Sequence, residues 1–198
     1  MNINIFTTLK TAFLLTFVIF TSAAYASGGY DNGTPAGKGR LDLDFTLNPG
    51  NQIDNGQSYI VWGYGITEKL DFHGYISHEA SGTNQVYYGL MYNFLSNRRL
   101  DLSTAFGLRH RSGDLDIIFP QILYTIKLPR NFDIIGSSTL VYRTDTHTNL
   151  GLSFDIAFRI PVPKKFTPKF IRDIKFAIGA FRSTSDKWLP TYSIDFRF

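Results

Sequence analysis

The chain contains no cysteine, and only 18% of its 198 residues are charged. Lacking cysteine, it has no disulfide framework, no thiolate metal site, no cysteine nucleophile and no lipid-anchored N-terminal Cys. Its formal net charge is only +4, and its 20 basic residues are scattered rather than gathered in a patch, so nucleic acid is not an expected partner. There is no phosphate loop, dinucleotide fingerprint or metal-ligand spacing, and no cofactor or metal is expected. A mean hydropathy of −0.07 excludes a bundle of membrane helices. A hydrophobic content of 43% excludes a disordered chain. What the chain has in quantity is aromatic rings: 18 Phe, 11 Tyr and 2 Trp.

Residues 1–26 read as a secretory signal. Lys10 precedes an apolar stretch from Ala12 to Phe20, and Ala24-Tyr25-Ala26 fits the small-residue cleavage pattern. Residues 27–38, Ser-Gly-Gly-Tyr-Asp-Asn-Gly-Thr-Pro-Ala-Gly-Lys, show no periodicity and read as a flexible lead-in.

From residue 39 onward the period is two. In 150–162 the even positions Leu150, Leu152, Phe154, Ile156, Phe158, Ile160 and Val162 are apolar. The odd positions between them are Gly, Ser, Asp, Ala, Arg and Pro. Such a segment is a two-faced strand. The same split predicts about ten strands, near 39–48, 57–67, 69–78, 84–95, 99–111, 115–128, 131–143, 148–161, 172–182 and 187–198. Each is about the length a tilted strand needs to cross a bilayer. The pattern is weakest in 131–143, and 115–128 is apolar on both faces. Connectors alternate between short ones, such as 67–69, 95–98 and 128–131, and longer polar ones, such as 48–56, 78–83 and 144–148. That asymmetry belongs to membrane barrels whose short turns face the periplasm.

A hairpin-length repeat accompanies the alternation. Arg40-Leu41-Asp42-Leu43, Lys69-Leu70-Asp71-Phe72, Arg99-Leu100-Asp101-Leu102 and Asn131-Phe132-Asp133-Ile134 carry aspartates 29, 30 and 32 residues apart. Ile171-Arg172-Asp173-Ile174 reads as a degenerate fifth copy, out of phase by one residue.

The polar face carries Asp42, Asp44, Asp71, Asp101, Asp133, Asp155 and Asp195. It also carries Arg109, Arg111, Lys127, Arg143, Arg159, Lys175 and Arg197, with His73 beside them. Seven acids against seven bases suits a filled lumen, where each buried charge needs a partner. The opposite face is almost uncharged. On it Trp62, Tyr64, Tyr92, Phe94, Phe196 and Phe198 fall near one set of strand ends, and Tyr142 and Trp188 near the other. These are girdle positions. A soluble barrel with an apolar interior would instead favour Lys and Glu on its outer face.

The chain ends Tyr192-Ser193-Ile194-Asp195-Phe196-Arg197-Phe198. With Tyr192, Ile194, Phe196 and Phe198 at alternate places, this resembles the C-terminal strand of bacterial outer-membrane β-barrel proteins. The resemblance covers the architecture of 39–198. It implies an all-β, closed, antiparallel up-and-down transmembrane barrel of about ten strands, eight or twelve being the neighbouring even counts. It also implies an outer-membrane location, contact with outer-membrane lipid, and those four residues as the signal read by the barrel-assembly machinery.

Ten strands leave a narrow lumen, which points to a structural, adhesive or narrow-channel role, any extracellular ligand being met by the loops. Arg109, Arg111 and Arg143 would bias such a channel toward anions unless they pair with Asp155 and loop carboxylates. The alternative is an outer-membrane enzyme using rim residues: His73, His78 with Glu79, His110 with Ser112, or His147. His110-x-Ser112 resembles the H-x-S of lipid A 3-O-deacylase. Gly113 stands where that family has Asn, however, and no matching acid follows in the next strand, so no catalytic residue is assigned.

Overall fold

The computed structural model describes residues 32–198 apart from 48–56, 80–81, 83, 112, 144–149 and 183–187. The signal segment 1–26, residues 27–31, Ser112 and His147 therefore lie outside the described residues. So do the side chains of Glu79 and Arg143.

Ten strands form the wall: β1 (Leu41–Leu47), β2 (Gln57–Gly65), β3 (Leu70–Glu79), β4 (Asn84–Ser96), β5 (Leu100–Arg111), β6 (Asp114–Lys127), β7 (Asp133–Arg143), β8 (Leu150–Pro161), β9 (Asp173–Arg182) and β10 (Trp188–Arg197). Each pairs antiparallel with its sequence neighbours, and β1 pairs with β10, closing the barrel. Leu43 faces Phe196 and Asp44 faces Asp195 across that seam. The Phe198 N–H donates to the Leu41 carbonyl at 2.9 Å, extending the seam past the last strand residue. Closure leaves no unpaired edge, the condition for a sheet to sit in hydrocarbon.

Alternation sets the two faces. Phe45, Ile60, Phe72, Ile76, Leu90, Phe106, Leu152, Ile156 and Phe176 point outward and are exposed. The inward positions between them are buried and mostly polar. The chain is thus a transmembrane β-barrel, its apolar belt turned to lipid and its polar side chains turned inward. Two small apolar patches interrupt the lumen wall, Ile135–Ala157–Ala177 and Met91–Ala105–Leu123.

The segment that reads as apolar on both faces is explained by a bulge. In β6 the register slips between Ile118 and Gln121, and Phe119 and Pro120 both face out. Inward parity changes there from even (Asp116, Ile118) to odd (Gln121, Leu123, Thr125), so no single alternation fits the strand. A second bulge, between Asn93 and Leu95 in β4, puts Phe94 and Leu95 outward together.

The turns β2–β3, β4–β5, β6–β7 and β8–β9 and both ends of the barrel chain share one rim. In this architecture that rim is periplasmic.

Candidate functional site in the lumen

Residues 32–38 are the described part of the segment 27–38 expected to be a flexible lead-in. They turn into the periplasmic mouth and cross it. Lys38 bridges to Gly65 in parallel, and the Gly39 N–H donates to the Gly65 carbonyl at 2.8 Å. The Ala36 N–H then donates to Asp71 Oδ2 at 2.8 Å, and the Thr34 hydroxyl to Asp101 Oδ2 at 2.7 Å. Farther along the same run of strands the Gly33 N–H donates to Thr125 Oγ1, on β6, at 3.0 Å. The Gly33 carbonyl accepts from Asn93 Nδ2 at 3.0 Å and Ser103 Oγ at 2.7 Å. Arg197 Nη2 approaches Asn32 Oδ1 at 3.4 Å.

Two glycines make this approach close enough. A Cβ on Gly33 would lie 2.7 Å from the carbonyl oxygens of Asp101 and Leu123, and one on Gly65 would lie 1.9 Å from the Gly37 oxygen. Backbone meets backbone at both places, with no flexible side chain to give way.

The repeated aspartates form a ring just inside this rim, and each has its own task. Asp42 faces Arg197 Nε at 3.3 Å and Arg172 Nη2 at 3.5 Å. Asp71 and Asp101 hold the inserted segment. Asp101 also accepts from Lys127 Nζ and Ser96 Oγ, both at 2.7 Å. Asp133 takes Arg159 Nη2 at 3.0 Å and the Lys175 ammonium. Asp173 shares the inward parity of Lys175, whose Nζ is 3.9 Å away, so the fifth copy is in phase rather than shifted by one.

Deeper in, Arg159 is 1% exposed and links Asp133 to Asp195, donating to Asp195 Oδ2 at 2.7 Å. Asp44 lies beside Asp195 across the seam and accepts from Thr46. A cavity of about 50 Å³ lies here, its charged lining made of the acids Asp42, Asp44, Asp71 and Asp195 interleaved with the bases Arg159 and Arg197. That space is large enough for a few waters. Among the described residues no group of three His, Asp or Glu is arranged to hold a metal ion.

Farther along the strands, inward-facing rings pack against one another. Tyr59 packs edge-on to Tyr75 at 5.4 Å, Tyr75 stacks on Tyr87 at 5.3 Å, and His73 packs edge-on to Tyr87 at 5.2 Å. The Tyr87 hydroxyl lies 3.0 Å from His73 Nε2 and 3.3 Å from Gln121 Oε1. Its ring occupies the space above Gly107, where a Cβ would stand 2.3 Å from it.

Arg109 does not pair with Asp155. It donates to Asp116 Oδ2 through Nε at 2.8 Å and Nη2 at 2.5 Å, and Asp155 instead accepts from Ser137. Asp116 is absent from the sequence-based set. Its signal was available, since it lies in register with both Arg109 and Arg143, but the β6 bulge hid the parity. Arg111 is half-buried near the outer rim.

The histidines are dispersed. His73 is inside the barrel. His110 is on the lipid side, stacked on Tyr88 with ring centroids 5.8 Å apart and Nε2 3.2 Å from its hydroxyl. His78 lies 2.7 Å from Asn84 Oδ1. Tyr192, Ile194 and Phe196 of β10, and Phe198 just beyond it, the residues expected to carry an assembly signal, all project outward.

No family model and no curated protein matches the chain. Among solved structures it is similar to the KdgM porin in complex with disordered oligogalacturonate. The TM-score is 0.50 at 8% identity, over 80% of this chain and 98% of that one. A second KdgM porin structure matches at TM-score 0.47 and 8% identity, over 80% and 98%. A de novo designed transmembrane β-barrel matches at 0.45 and 10%, over 81% and 97%. At such identities the likeness speaks for the fold, which is that of outer-membrane barrels.

Proposed function

We propose that the protein is a narrow outer-membrane channel held shut at its periplasmic mouth by its own residues 32–38. The observation that carries this reading is the inserted segment itself. It is bonded to five consecutive strands, at Gly65 of β2, Asp71 of β3, Asn93 of β4, Ser103 of β5 and Thr125 of β6. A barrel that served only as an anchor would need no built closure over a polar interior. With the segment withdrawn, a passing ion meets Asp44 and Asp71, cavity carboxylates that no base among the described residues neutralises, before any unpaired base; Asp42 and Asp195 are held by Arg197, Arg172 and Arg159. Arg159 and Arg109 are already engaged by aspartates. The path therefore favours small cations, against the anion bias expected from Arg109, Arg111 and Arg143.

Planar-bilayer recording of the refolded chain tests this reading. The intact protein should be mostly silent, and a variant lacking residues 32–38 should show stepwise, cation-preferring conductance. Silence in both, with folding confirmed by heat-modifiable migration, would overturn the channel reading in favour of a structural barrel.

A further inference from the structure

The turn between β8 and β9 does not resemble its neighbours on the same rim. The others span residues 66–69, 97–99 and 128–132, whereas this one spans 162–172. It reads Val-Pro-Lys-Lys-Phe-Thr-Pro-Lys-Phe-Ile-Arg and contains no acid. Phe166 and Phe170 are 66% and 75% exposed, the two most exposed large apolar side chains among the described residues. By comparison, the lipid-facing phenylalanines of the wall reach 54% at most, at Phe119.

These rings are presented by a fastened turn. The Phe166 N–H donates to the Pro163 carbonyl at 2.9 Å, Thr167 to Lys164 at 3.1 Å and Ile171 to Pro168 at 3.0 Å. Arg172 is tied to the Arg197 carbonyl at 2.6 Å, and the Lys164 ammonium donates to the Arg172 carbonyl. Ile171 is buried beneath. Lys165 lies over the Phe166 ring, 4.8 Å from its centroid, and Lys169 is exposed beside Phe170.

We propose that this turn is a lipid-binding hook that seats Phe166 and Phe170 in the inner leaflet and selects anionic phospholipid headgroups through Lys165 and Lys169. Three features point to that occupant. The turn is continuous with the lipid-facing belt, entering after Ile160 and leaving toward Phe176. It lies at the same rim as the girdle rings Tyr64, Tyr92 and Phe94. Its charge is of one sign and complements phosphate. Apolar rings below a row of lysines form the arrangement that holds peripheral segments in a headgroup layer, and each lysine near an anionic surface contributes about fivefold to binding.

The absence of native cysteine permits a clean test on the full chain. Thr167→Cys carrying an environment-sensitive fluorophore is refolded into vesicles containing equal fractions of doxyl-labelled phosphatidylglycerol or doxyl-labelled phosphatidylcholine. Quenching should be several-fold stronger with phosphatidylglycerol. Adding Lys165→Gln and Lys169→Gln should equalise the two lipids. Adding Phe166→Ser and Phe170→Ser should return the probe to water-like emission with either lipid. These substitutions lie outside the strands, and heat-modifiable migration verifies folding. Water-like emission in the parent, the result for a turn that awaits a protein partner, would overturn the proposal. Equal quenching by both lipids in the parent would overturn it too. Neither outcome bears on whether the lumen conducts.

Discussion

Replacing Gly33 with alanine should unseat the inserted segment without touching the barrel wall. The added methyl would meet Asp101 O and Leu123 O at 2.7 Å and the Tyr124 Cα at 2.8 Å. If the residue stays in place, the wall must shift, an overpacking cost of about 1–3 kcal/mol. With three backbone neighbours at once, the upper half of that range applies. If it withdraws, the three hydrogen bonds of Gly33 with Thr125, Asn93 and Ser103 are lost, at about 1 kcal/mol each. Both routes weaken closure by about 2–3 kcal/mol, a fall of roughly 30- to 160-fold in the closed-to-open ratio. Single-channel recording reads that ratio as open probability. Thr34→Val, which removes one bond to Asp101 while Lys127 and Ser96 still serve it, should give a smaller rise of about fivefold. A folded Gly33→Ala barrel with unchanged open probability would refute closure by this segment.

Further substitutions probe the rest of the lumen and its seam. Arg159→Ala leaves Asp133 and Asp195 buried without their shared cation and should cost about 3–5 kcal/mol in urea unfolding of the refolded barrel. A loss below 1 kcal/mol would show that the carboxylates find other support. Asp116→Asn, in the variant lacking 32–38, releases Arg109 and should move the reversal potential toward anions; an unmoved potential would place Arg109 off the conduction path. Phe198→Ser should lower the yield of assembled barrel in cells while leaving detergent refolding intact, if the terminal aromatic is read during assembly. Equal losses in both settings would instead assign Phe198 a packing role at the β1–β10 seam.

The barrel was legible because its signal is local. An outward apolar residue and an inward polar one alternate along strands such as β8, so 150–162 declares itself without reference to any other segment. The aspartate repeat was equally visible, since one hairpin separates each copy from the next. The inserted segment was not. Its Asn, Gly, Thr and Pro composition is that of a linker, and its partners lie far along the chain: Asp71 is 35 residues from Ala36, and Thr125 is 92 from Gly33. Nothing in 32–38 alone specifies a carboxylate or hydroxyl brought close only by barrel closure. Asp116 was missed for a related reason. Two consecutive outward residues, Phe119 and Pro120, reset the parity of β6, and the acid that neutralises Arg109 fell between faces.

Amide hydrogen exchange on the unmodified barrel in lipid reports most directly on closure by the N-terminal segment. The Gly33 and Ala36 N–H groups, donors to Thr125 and Asp71 inside the wall, should exchange at least about a hundredfold more slowly than free peptide amides. Gly33→Ala should erase that protection at Ala36 while leaving the strands protected. Exchange of Gly33 and Ala36 at the free-peptide rate in the unmodified protein would contradict a mouth closed by this segment.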